Sequence, residues 1–171
     1  MLRSLFFVLA IFLVVQARNS VYAQTSEFSF IQKIQGLKQG QLPPNGFIQA
    51  LERHDNPKAA RNLCLRVGLQ SGLCESNAKL SLGWVICMMS GLSKDECDQP
   101  KVASLGFGLC MAAGRDSTDC NYVQHSSSGF GLCMVAGRNF HECTGTSMPT
   151  LAFAYCMARG RDVSNCMDAG S

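Results

Sequence analysis

From residue 57 onward, apolar and polar positions return every 23 residues through five units: 57–79, 80–102, 103–125, 126–148 and 149–171. Each unit carries two cysteines with nine residues between them, pairing Cys64 with Cys74, Cys87 with Cys97, Cys110 with Cys120, Cys133 with Cys143 and Cys156 with Cys166 in register. Four positions before the first cysteine the side chain is tiny (Ala60, Gly83, Gly106, Gly129, Ala152). Three before it stand Arg61, Trp84, Phe107, Phe130 and Phe153, and directly after it Leu65 and then Met88, Met111, Met134 and Met157. A glycine follows four positions after that cysteine in every unit: Gly68, Gly91, Gly114, Gly137 and Gly160. Two residues later come Gln70, Ser93, Asp116, Asn139 and Asp162.

That grammar predicts a helix, a stop and a restart. The glycine takes the left-handed conformation that closes a helix C-terminus without steric cost. Ser93, Asp116, Asn139 and Asp162 are favoured N-caps, and Ser93 with Glu96 three residues on forms a capping box for a second, short helical turn. Tiny residues one turn before the cysteine let neighbouring helices approach, and the aromatic beside them fills the space between layers. The expected fold class is all-α: a short solenoid of five disulfide-stapled helical hairpins with an N-terminal helical cap.

The spacing also decides the pairing of the cysteines. On one unbroken helix two residues ten apart are ~15 Å apart along the axis, beyond the roughly 4.4 to 6.8 Å between Cα atoms that a disulfide spans. The chain must therefore reverse between them. Pairing within one column leaves a cysteine over, and pairing across units orphans Cys64 and Cys166. Closure within each unit is complete and uniform.

Ahead of the array, Phe28, Ile31, Ile34 and Leu37 alternate with Lys33, Gln35 and Lys38 at helical spacing. The run Gln41-Leu-Pro-Pro-Asn-Gly46 ends that helix, and a second short one over Phe47–Arg53 follows. Residues 24–56 are expected to form the cap over the first repeat. Residues 1–23 carry Arg3, an unbroken apolar run from Leu5 to Val15 and small residues before Gln24, the pattern of a secretory signal peptide. Nothing after it is long and apolar enough to span a bilayer.

Charge and candidate chemistry narrow the function class. Removing residues 1–23 lowers Lys plus Arg from 15 to 13 against 12 Asp plus Glu, which is not the basic excess of a nucleic-acid binder. An exported chain with paired cysteines belongs in an oxidising place, secreted or periplasmic. Zinc motifs place cysteines two to four residues apart and redox motifs use CxxC, so neither a metal nor a redox cofactor is expected. His54, His125 and His141 fall at unrelated repeat positions, and no catalytic set is expected. The nine-residue interval resembles that of the twin Cx9C helical hairpins of the mitochondrial intermembrane space; the likeness covers the cysteine arithmetic alone. The stapled repeat design is similar to Sel1-like solenoids, whose period is longer.

One row has binding character. Arg115, Arg138 and Arg161 each follow a repeat glycine, and stacking sets them at about 10 Å intervals. A row of guanidinium forks suits carboxylate or phosphate recognition, while an arginine at a helix C-terminus also satisfies terminal carbonyls. The expectation is a non-enzymatic binding module for a protein or an anionic envelope component. An envelope hydrolase and a purely structural secreted protein are the alternatives.

Overall fold

Each repeat begins where a short polar side chain takes over a helix's first free amides. A computed structural model describes residues 30, 32–37, 39–100, 103–121, 127–145 and 149–167. The chain divides into two units, 1–32 and 33–171; of the first, only Phe30 and Gln32 are among the described residues, and the expected signal peptide lies outside them. Among the described residues the secondary structure is helical throughout, with no strand.

After α1 (32–37) and α2 (Asn45–Arg53), long and short helices alternate: α3 (Pro57–Arg66) with α4 (Ser71–Ser76), α5 (Leu82–Met89) with α6 (Lys94–Cys97), and α7 (Leu105–Ala112) with α8 (Ser117–Cys120). The last two pairs are α9 (Ser128–Val135) with α10 (Phe140–Cys143), and α11 (Leu151–Ala158) with α12 (Val163–Cys166). Asn56, Ser81, Ser104, Ser127 and Thr150 cap the long helices, each accepting a hydrogen bond from the amide three residues on. The five repeat glycines sit at φ between 75° and 82°, so the chain reverses where the pattern requires. Capping boxes at Ser93/Glu96 and Asn139/Glu142 restart it. Asp116 caps through the Thr118 amide, whereas Asp162 adopts the cap backbone without a side-chain hydrogen bond.

All ten cysteines are joined within their own repeat, with Cα separations of 5.6 to 5.8 Å. Each loop of this length contributes roughly 3 kcal/mol in the chain-entropy account, which a 23-residue unit with little core of its own requires.

The long helices stack through their backbones. A methyl group added at Gly83 would stand 1.9 Å from the Ser104 carbonyl oxygen, and one at Gly108 would stand 2.2 Å from the Gly83 carbonyl oxygen. Gly131 meets Gly106 at 2.4 Å in the same way, and Gly129 meets the Pro149 carbonyl at 2.1 Å. At 100° per residue, three sides of each long helix are thereby fixed. The position four before the cysteine and the one three after it face the following repeat. The positions two before and one after face the preceding repeat. The aromatic at three before turns toward its own short helix, where Trp84 Nε1 donates to Asp98 at 2.7 Å and Phe130 meets Phe140 edge to face.

The segment ahead of the array reaches well beyond the first repeat. The Pro43 carbonyl accepts from the Tyr155 hydroxyl in the fifth repeat, Glu52 accepts from the Ser128 hydroxyl in the fourth, and Asp55 accepts from the Leu82 amide in the second at 3.3 Å. It is a strap along the array as well as a lead-in to it. Ile34, Leu37 and Ile48 are its buried apolar contacts, and Lys33 lies over the Phe47 ring at 4.7 Å.

Candidate functional site

The last turn of any α-helix leaves carbonyl oxygens without an amide partner, and the edge of the array gathers five such turns. Arg115 and Arg138 are placed there by the glycine before them. Arg115 donates from Nε (3.3 Å) and Nη2 (3.1 Å) to the Met134 carbonyl and from Nη2 to the Arg138 carbonyl at 3.2 Å. Arg138 repeats this on the next unit, with Nε and Nη2 to the Met157 carbonyl at 3.1 and 3.0 Å and Nη2 to the Arg161 carbonyl at 3.1 Å. Its Nη1 also reaches Glu142 at 3.1 Å. Both guanidinium groups are half-buried and tie one repeat to the next.

Arg161, third in the row, lies in the fifth repeat. It is exposed and makes no side-chain hydrogen bond to a described residue. The sequence-derived row thus divides: Arg115 and Arg138 direct their forks onto carbonyls within the chain, and Arg161 keeps its fork open. The first two repeats carry Leu69 and Leu92 at this position and have no such tie.

A second seam closes the opposite ends of the long helices. The Ser81 hydroxyl donates to the Ala103 carbonyl, and the Ser127 hydroxyl donates to the Pro149 carbonyl at 2.9 Å. Each of these hydroxyls caps its own helix and grips the chain entering the next. Sequence reasoning passed over this column, although Ser81, Ser104, Ser127 and Thr150 all stand six residues before a cysteine.

The chain matches no family model, no curated protein and no solved structure. The reading of the site therefore stands on its geometry.

The other polar groups serve the scaffold. The Thr118 amide holds the Asp116 carboxyl below its ordinary range, and the Ser93 amide and hydroxyl do the same for Glu96. Burial pushes the Asp98 carboxyl up, but the hydrogen bonds from Lys94 and Trp84 and the nearby Lys94 and Lys79 charges outweigh it, leaving it below the usual value. His54 and His141 are exposed on separate elements, and His125 lies outside the described residues. Among the described residues no group of three His, Cys, Asp or Glu side chains could hold a metal ion, and no helix is long and apolar enough to cross a membrane.

Proposed function

We propose that this protein is an exported, non-enzymatic interaction module that works outside the cytoplasm, secreted or periplasmic, and binds a protein or an anionic envelope component. The observation that carries the reading is the closure of all ten cysteines inside five equivalent repeats, a construction suited to an oxidising compartment. Arg115 and Arg138 fix the spacing of the edge along which partners are met, and Arg161 supplies a guanidinium with donors to spare. Asp116, Glu96 and Asp98 are engaged in caps and in the Trp84 contact, which supports a binding role over a hydrolytic one.

Fractionation of producing cells with N-terminal sequencing tests export: the expected product begins at Gln24 and is found outside the cytoplasm. Any envelope partner captured on the immobilised oxidised protein is then purified and rebound to wild type and to an Arg115→Ala/Arg138→Ala/Arg161→Ala chain. Binding by wild type and loss in the triple variant support the edge as the surface. An unprocessed cytoplasmic protein, or purified partners held equally by both chains, overturns the reading.

A further inference from the structure

The three boundaries between the second and fifth repeats share the close backbone seam and the last two of them add the arginine fork, so the chemistry that covers an exposed repeat face is written in the repeats beside it. Toward the following repeat, a long helix offers a tiny residue four before the cysteine and a small one three after it, Gly129 and Ala136 in the fourth repeat. The fork one residue past the glycine then reaches two carbonyls of the next unit, at the positions one and five after its cysteine. In the fifth repeat the same positions are Ala152, Arg159 and Arg161, and all three are exposed. Facing the other way, the first repeat presents Asn62 and Leu65; of the counterparts of Leu65, Met88 behind the first repeat is half-buried, and Met111, Met134 and Met157 further along are at most 3% exposed. Leu65 is 40% exposed, and the two exposed large hydrophobic side chains among the described residues, Leu65 and Met167, fall one in the first repeat and one in the last.

We propose that copies of this protein associate head to tail, the fifth repeat of one copy seated on the first repeat of the next, with Arg161 donating to the Leu65 and Leu69 carbonyls of that copy. These carbonyls hold the positions that Met134 and Arg138 hold for Arg115, and that Met157 and Arg161 hold for Arg138. Ala152 against Asn62 then brings together the repeat positions that meet at Gly83 with Gly108 and at Gly106 with Gly131. The contact is heterologous, so it leaves one free end on each copy and extends into chains. A single hairpin face places it among weak, small interfaces, so association appears at high protein concentration. Arg159 is the misfit: it stands where Ala113 and Ala136 stand internally, and its long side chain must lie aside for the faces to meet. The inference is independent of where the protein is exported and of what else it binds.

Sedimentation equilibrium of the purified, oxidised protein tests it over a wide concentration range. The average mass is expected to rise with concentration. Arg161→Ala weakens the association constant about tenfold, the equivalent of ~1.4 kcal/mol; Leu65→Lys weakens it at least as much, and Arg159→Ala strengthens it. Leu65 and Arg161 are exposed, so unchanged circular dichroism and intact disulfides are expected in both weakening variants. The decisive arm mixes the two at a concentration where wild type associates and each variant alone is largely monomeric: the mixture is expected to give dimers as its main assembled species, because one intact junction remains per pair. A monomer at every concentration, single variants that associate like wild type, or a mixture without dimers overturns the proposal.

Discussion

Replacing Gly108 by alanine sets two effects of opposite sign against each other. In an isolated helix the change is favourable by about 1 kcal/mol, since alanine loses less backbone freedom than glycine. In the array the new methyl lands 2.2 Å from the Gly83 carbonyl oxygen and 2.7 and 2.8 Å from the Gly83 Cα and carbonyl carbon, against an ordinary contact of 3.4 Å or more. The obstacle is the backbone of the neighbouring helix, which has no rotamer to change, so α5 and α7 must separate by about 1 Å, given the shortfall from normal packing distances. Overpacking of this kind costs ~1 to 3 kcal/mol, and the unyielding backbone puts this site at the upper end. Stretching the Ser81 hydroxyl bond to Ala103 across the same seam adds about 1 kcal/mol. After the propensity gain, Gly108→Ala is expected to destabilise by ~2 to 3 kcal/mol, lowering the urea midpoint by about 1 M or more for an ordinary denaturant slope. Gly72→Ala is the matched control: nothing lies within 4 Å of its methyl and its φ is not positive, so it is expected to be neutral or stabilising by up to ~1 kcal/mol. Equilibrium unfolding followed by circular dichroism, disulfides intact, reads both. A Gly108→Ala protein as stable as Gly72→Ala would refute the close backbone seam.

Arg138→Met removes four hydrogen bonds and is expected to cost about 2 kcal/mol in the same assay, whereas Arg161→Met, with no described partner, stays within ~0.5 kcal/mol of wild type. Non-reducing peptide mapping should return only the five within-repeat pairs, and Cys110→Ala/Cys120→Ala should lower stability by roughly 3 kcal/mol; any cross-repeat pair contradicts the array. For pH, the Glu96 and Asp116 carboxyls are held below their usual 4.5 and 3.8, so their contribution is complete above those values and is lost as pH falls through the lower folded-state ones. The melting temperature followed downward from neutrality should decline below about pH 4.5, and Glu96→Gln/Asp116→Asn should flatten that arm; an unchanged acid slope in the double variant refutes the assignment.

Fold class, repeat length and disulfide pairing were legible because each follows from local chemistry: a glycine that can turn left-handed, a cap that restarts a helix, two sulfurs that must meet. The tiny column at Gly83, Gly106 and Gly129 was legible as close approach, but its partner column at Gly108, Gly131 and Ala154 was not. Which side of a helix meets which neighbour depends on the rotation between repeats, a tertiary quantity. The strap was half legible. Ile34, Leu37 and Ile48 announce an apolar face, yet its docking on the second, fourth and fifth repeats depends on how tightly the glycine seams draw those repeats together.

The arginine row shows why a charged column in a repeat protein carries less functional information than it first offers. Stacking brings each guanidinium to the one place where the next unit has carbonyls to spare, and two carbonyls four residues apart are a better match for its fork than open water. A charged column in such an array is therefore satisfied from within wherever a following unit exists. What remains for an outside partner is the guanidinium that no neighbouring repeat engages, and in this column that is the exposed Arg161.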